Sequence, residues 1–336
     1  MKALLCKSPG ALEIVERPKP LPRQGEVLVR VARAGVCGTD LHIFDGTQPY
    51  FEYPRIIGHE LAGHIESAPA GSALAPGQQV AIIPYLACGQ CVACRRGKTN
   101  CCQRLSVLGV HADGGMAEYL CAPEGNVIAA DGVTLDEAAM VEFLAIGAHA
   151  VARGAVGQGQ RVLVVGAGPI GIACMIFAQL RGARVTALDT RQDRLTFCAR
   201  ERLAAHCVSA GAGARAELSR LSQGDFFDCV FDATGNAQAM NTGFEWVAHG
   251  GAYVLVSIVR DTISFADPEF HKRETTLLSS RNATREDFEG VLAALRAGRI
   301  PASALNTHRA GLGEAPGLFA HWIKPETGVI KAILEI

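Results

Sequence analysis

The segment VLVVGAGPIG, Val162 to Gly171, narrows the possible folds more than any other stretch of the chain. An apolar, β-branched run typical of a buried strand leads directly into Gly166, Gly168 and Gly171, spaced GxGxxG, and then into residues of helical periodicity. A Gly-rich sequence can produce such a triplet by chance, but between a strand and a helix it has a mechanical reason. The glycines permit a tight turn and close backbone approach, while the helix that starts at Pro169 and Ile170 offers free N–H groups to a pyrophosphate. From Gln160 onward strands and helices alternate, with RVLVVGAG, ARVTALDT, FDCVFDATG and GAYVLVSI as the strands. That alternation predicts a parallel, doubly wound sheet. The second strand ends in Asp189, about twenty residues past the glycines, where an acid bonds both ribose hydroxyls and repels a 2′-phosphate. The expected cofactor is therefore NAD rather than NADP. Arg191 and Arg194 follow closely and read as solvated charges at a helix start, with phosphate binding as the alternative; Arg194 is grouped with the cofactor residues.

The half that precedes this sheet has another texture. From Glu26 to about Ala130 short β-branched runs such as EVLVRVARA and QQVAIIPY are broken by Gly and Pro, an all-β pattern. Near Leu135 the period turns helical in LDEAAMVEFLAIGAHAV, introduced by a capping box of Thr134 and Glu137. The last fifty or so residues read as one amphipathic helix, DFEGVLAALRAG, and a terminal strand, GVIKAILEI. The expected division is residues 1–150 as a β-rich domain, 151–284 as the nucleotide-binding domain and 285–336 as a return to the first. Two such halves imply a cleft between them, where small ligands usually bind. The apolar strand GAYVLVSI, if left at a sheet edge, would need a second subunit to cover it, which predicts a homo-oligomer.

A formal net charge of -1 gives no electrostatic reason for nucleic acid or an anionic membrane as partner. The absence of a leader pattern or a long apolar span reads as a cytoplasmic protein. Twelve cysteines in a reducing compartment then need an explanation other than disulfides. Cys6, Cys121, Cys174, Cys198, Cys207 and Cys229 are scattered among apolar neighbours and read as small buried hydrophobes. Cys88, Cys91, Cys94 and Cys102 instead form CxxCxxCx7C, a spacing that suits a tetrahedral structural zinc, with an iron–sulfur cluster or a redox thiol site as alternatives. Cys101 competes with Cys102 for the fourth place, and adjacent side chains point different ways, so only one fits.

GHELAGH, Gly58 to His64, looks at first like a misspelt HExxH metalloprotease helix. His64 follows His59 by five residues, however, which on a helix turns it about 140° away and on a strand puts it on the opposite face. Any metal on His59 must find its other ligands elsewhere, and His64 reads as an ordinary strand residue.

The cysteine quartet, CGTDLH, GHE, DGGMAEY and GAGPIG occur in the order found in zinc-dependent medium-chain dehydrogenases of the alcohol and polyol dehydrogenase family, which the chain resembles over nearly its whole length. The resemblance implies a GroES-like catalytic domain joined to a Rossmann domain, two zinc ions per subunit and NAD. It implies Cys37 and His59 as catalytic zinc ligands with Glu60 as the third. Glu142 matches a position used in the family either as a ligand or as a carboxylate reaching the metal through water, although Phe143 stands where many relatives have proline. Thr39 and His42 match the proton-relay positions, and Asp40 the carboxylate that orients the ligand histidine.

For the substrate, IPYLACGQC, GVHADGG, DATGNAQAMN and DPEFHKRETTLLSSRNAT resemble the bacterial L-galactonate 5-dehydrogenases of this family. The implied reaction is oxidation of a hexonate at C5, with a neutral polyol, threonine or L-gulonate as alternative substrates and a nucleotide-binding zinc protein without turnover as the alternative outside enzymes. A sugar acid needs a cation and several polar partners, for which Arg281, Asn282 and His111 are the candidates, with Lys272 behind them.

Overall fold

The computed structural model describes all 336 residues, Met1–Ile336. They form two compact units, one of residues 1–143 and 284–336 and the other of residues 144–283, and the chain passes from the first to the second within the helix Val141–Arg153.

The first unit is organised by its long strand Glu26–Val36. This strand pairs antiparallel with Glu60–Ser67, with Tyr119–Pro123 and with the C-terminal strand Lys331–Glu335. The two-residue period of the strand puts Val27, Val29 and Val31 on one face, in a core shared with Ile65, Val80, Ile82, Phe319 and Trp322, while Leu28 is buried on the other face. The C-terminal return holds more than expected. Besides the helix Arg285–Arg296, it contains the strand Asn306–Gly311 and the helix Ala315–Trp322. Pro316 and Gly317 obscure the period of that last helix, yet proline in a first helical turn removes no needed hydrogen bond. The expected long helix after Thr134 is two helices, Leu135–Ala139 and Val141–Arg153. The backbone at Met140 flattens to ψ -4°, which ends the first helix and leaves Glu142 in the first turn of the second.

The second unit carries a six-stranded parallel sheet. Its order is His206–Ser209, Arg184–Asp189, Arg161–Val165, Phe227–Asp232, Val247–Leu255 and Thr276–Ser279. The chain thus winds outward from Arg161–Val165 in both directions, which places the switch point beside that strand. GAYVLVSI is not left at the edge. The strand Val247–Leu255, which contains its apolar part, pairs on both sides, and the edge is Thr276–Ser279.

All twelve cysteines are unpaired. Cys6, Cys174, Cys198 and Cys229 are buried as expected, whereas Cys121 and Cys207 are only partly so, because each alternates outward on its strand. No helix is long and apolar enough to cross a membrane.

Candidate active site

Three side chains converge in the first unit. Cys37 follows the strand Glu26–Val36 and caps the helix Gly38–Asp45, while Glu60 starts the adjacent strand and His59 immediately precedes it. Their ligand atoms lie within 4.8 Å of one another, and His64 is not among them. The close approach depends on Gly35, which pairs with Glu60 across the ladder. A Cβ at that position would meet Glu60 Oε2 at 2.1 Å.

The surroundings are dry and charged. Asp40, His59, Glu60, Glu142 and Lys331 are all buried. Lys331 Nζ donates to Glu60 Oε1 at 2.6 Å and to the Val36 carbonyl at 3.3 Å, and lies 4.5 Å from the centre of the Phe143 ring. Phe143 therefore has a task that proline could not perform, receiving the cation on its face. Burial works against the Lys331 ammonium, but Glu60 and Cys37 hold its pKa above the usual lysine range. Asp40 Oδ2 accepts from the Cys37 backbone N–H at 2.9 Å, and its Oδ1 faces His59 Nδ1 at 3.8 Å. Burial alone would depress the imidazole, yet the charges of Asp40 and Cys37 raise it well above the ordinary range. Glu142 Oε1 accepts from the buried Tyr85 hydroxyl. Burial pushes the Glu142 carboxyl up to about 7, with His59 opposing.

Four polar atoms here are buried without a hydrogen-bond partner: Asp40 Oδ1, His59 Nδ1, Glu60 Oε2 and Glu142 Oε2. Unpaired buried polar atoms are costly. Two of them, Asp40 Oδ1 and His59 Nδ1, face each other; the Glu60 Oε2 left over beside Cys37 and His59 fits a divalent cation, for which thiolate, imidazole and carboxylate form a donor set suited to zinc with a position left for substrate.

Thr39 and His42 lie on the helix Gly38–Asp45. The first is half-buried and the second exposed, with His42 Nδ1 at 3.0 Å from Thr47 Oγ1. His111 is also exposed, and its Nδ1 accepts from the Val107 N–H at 3.2 Å.

The cysteine lobe is a separate cluster. Cys88, Cys91, Cys94 and Cys102 bring their sulfurs together, while Cys101 is exposed and left out. A tetrahedral zinc with Zn–S bonds of about 2.3 Å sets its sulfurs about 3.8 Å apart. The separations of 3.5 Å for Cys91–Cys94 and 3.9 Å for Cys91–Cys102 fit that geometry. A cubane cluster, with each thiolate on a different iron, would spread them further. Backbone N–H groups and Arg104 lower the Cys88 thiol to about 5, and the Cys94 N–H chief among others lowers Cys91 to about 7.

In the second unit, Gly166 to Gly171 link the strand Arg161–Val165 to the helix Pro169–Leu180, which Gly168 caps. A Cβ on Gly171 would meet the Gly166 carbonyl oxygen at 1.8 Å, so the tight turn admits no side chain there. Asp189 ends the next strand, accepting from the Ala167 N–H at 2.6 Å and the Arg191 N–H at 2.7 Å. Its carboxylate is thereby fixed against the glycine loop. Arg191 pairs with Asp193, as a solvated helix-start charge should, but Arg194 is buried, contrary to that reading. The helix Gln192–Arg200 turns it inward with Leu195. Arg281 is exposed and Asn282 half-buried just past the sheet edge, Asn282 in the left-handed region at φ 52°. Lys272 is exposed and 3.8 Å from Glu269.

Lys331, Tyr85 and Gly35 were not among the residues singled out from sequence. For Lys331 a signal existed, since it is the one cation in the otherwise apolar GVIKAILEI. Tyr85 and Gly35 had none, being an ordinary strand tyrosine and one of 37 glycines.

Residues 23–132 match the family model of the alcohol dehydrogenase GroES-like domain, and residues 169–297 that of zinc-binding dehydrogenases. The chain is 45% identical over 311 residues to L-galactonate-5-dehydrogenase of Escherichia coli K12, spanning 92% of this chain and 91% of that protein. It is 34% identical over 268 residues to an L-threonine 3-dehydrogenase of Saccharopolyspora erythraea, spanning 77% of each. The solved structure of RspB from Escherichia coli CFT073, complexed with NADH, matches with a TM-score of 0.93 at 30% identity, covering 100% of this chain and 99% of that one.

Proposed function

The chain belongs to the zinc-dependent medium-chain alcohol dehydrogenase family, and from that premise we propose that its substrate is a sugar acid, L-galactonate, oxidised at the C5 hydroxyl to D-tagaturonate. The zinc- and NAD-dependent dehydrogenase activity comes with the family. The observation that carries the substrate is the 45% identity to an L-galactonate-5-dehydrogenase, against 34% to the threonine enzyme.

In this reading Cys37, His59 and Glu60 hold the catalytic zinc, with Glu142 as the further carboxylate, and the four lobe cysteines hold the structural one. When bound, the catalytic ion would supply Lewis acidity, which lowers the pKa of an oxygen acid toward about 7. Asp40 holds the Cys37 backbone and turns its second oxygen toward His59. Thr39 and His42, three residues apart on one helix, share a face and carry the proton from a half-buried hydroxyl to an exposed imidazole. The loop from Gly166 through Pro169 and Ile170 to Gly171 seats the pyrophosphate, with Arg194 beside it, and Asp189 takes the ribose hydroxyls. The balance is alcohol and NAD+ to ketone, NADH and a proton. Arg281, Asn282 and His111 serve the hexonate, where one charge-assisted bond contributes about 1.5–3 kcal/mol.

We assign the enzyme to the cytoplasm, where twelve unpaired cysteines persist, and to a homo-oligomer. Its exposed sheet edge, Thr276–Ser279, supports the second assignment.

The test is NADH formation from NAD+ with the zinc-loaded enzyme, offered L-galactonate, L-gulonate, sorbitol and L-threonine in parallel. Turnover of L-galactonate with the highest kcat/KM is expected. Preference for L-gulonate, sorbitol or threonine would reassign the substrate, and no turnover of any alcohol would point to a binding protein.

A further inference from the structure

Glu60, one of the three clustered side chains, and Glu142, which lies outside that 4.8 Å cluster, are held in the same way by different donors. Glu60 gives Oε1 to Lys331 and Glu142 gives Oε1 to Tyr85, while Oε2 of each is buried without a partner. Lys331 cancels a charge and Tyr85 does not. Glu142 therefore has no cation in its own hydrogen bond, which leaves its charge for the metal. The neutral phenol fixes the direction of that charge without consuming it.

Tyr85 is itself firmly held. Its strand Tyr85–Leu86 pairs with Ser106–Val107, and together they close the neck of the cysteine lobe. Asn126 Nδ2 donates to the carbonyls of Ile83 at 2.9 Å and of Tyr85 at 3.0 Å. Its ring packs edge-on against Phe288, with centroids 6.1 Å apart. The hydroxyl therefore cannot follow Glu142 if the carboxylate swings away.

Resting on the zinc reading above, we propose that Tyr85 is a positioning residue for the catalytic metal. Its hydroxyl locks Glu142 in one rotamer, with Oε1 engaged and Oε2 left unpartnered. The carboxylate would then hold a fixed direction toward a bound cation and slow the loss of that cation to solvent.

The test is Tyr85→Phe, which keeps the ring and removes the donor, measured on zinc-loaded enzyme by the rate at which a chromogenic chelator draws off the catalytic ion. Cobalt-substituted protein adds the visible ligand-field spectrum as a second readout. Metal release is expected to quicken about tenfold with the cobalt bands shifted, while the lobe zinc and NAD affinity stay unchanged. In a Glu142→Gln background the same substitution should add nothing, since Tyr85 acts through Glu142. Release within twofold of the parent, or an equal effect of Y85F with and without Glu142, would overturn the proposal. Should Y85F fail to fold, fluorotyrosine at position 85, a stronger donor of the same shape, must slow release, and no change would count against it. A parent enzyme that binds only the lobe zinc would instead defeat the zinc reading itself, a result visible before any variant is made.

Discussion

At the scale of single residues, the metal site depends as much on what is missing as on what is present. Glu60 can fold back toward Cys37 and His59 because Gly35, opposite it on the ladder, has no side chain. Gly35→Ala would put a methyl group into space already held by Glu60 Oε2, and the carboxylate must leave. It would then abandon Lys331, whose buried ammonium has only the Val36 carbonyl as another hydrogen-bond partner. Breaking a buried ion pair typically costs about 3–5 kcal/mol. The expected result is a protein with one zinc per chain instead of two, shown by elemental analysis, with dehydrogenase activity lost and the unfolding midpoint lowered. Two zinc ions per chain in G35A would show that Glu60 does not serve the metal from this position.

At the scale of elements, a feature is legible from sequence when its parts are neighbours in the chain. The strand, glycine turn and helix of VLVVGAGPIG span ten residues, and the cysteine lobe is nearly as local, so spacing alone announced both. The contacts of Lys331 with Glu60, 271 residues away, and of Tyr85 with Glu142, 57 residues away, leave no periodic trace. The break at Met140 was hidden for a different reason, since apolar spacing continues across it and only backbone geometry marks the end. Asp189 is a case where local reading and geometry meet. Two backbone N–H groups fix its carboxylate at the strand end, so little entropy remains to be lost when it accepts the ribose hydroxyls. Asp189→Ser should raise the KM for NAD about ten- to a hundredfold, the equivalent of one charge-assisted hydrogen bond. It should also improve use of NADP, because the repelling charge is gone, while kcat with saturating NAD changes little. Steady-state kinetics with both cofactors check this, and unchanged discrimination would remove Asp189 from the ribose site.

At the scale of the whole molecule, the parallel sheet has an unfinished side. The apolar strand Val247–Leu255 is covered by Thr276–Ser279, which pairs with a strand on one side only and exposes three of its four side chains, Thr276, Leu277 and Ser279. The exposed Leu277, Phe265 and Ile258 belong to this strand and the segment leading to it, whereas an edge meant for water usually carries charge or proline. A second copy adding its own edge strand would satisfy the backbone groups on the unpaired side of Thr276–Ser279 and cover Leu277. Native protein is therefore expected to run in light scattering at a multiple of the 35.4 kDa chain mass. Leu277→Lys places a charge in the middle of the edge and should shift the protein toward the single-chain mass. Because Leu277 belongs to none of the cofactor or metal groups, NAD binding and both zinc ions should be retained. A wild-type protein already at the single-chain mass would show that the edge is tolerated in water, and an L277K variant still assembled would move the interface to another surface.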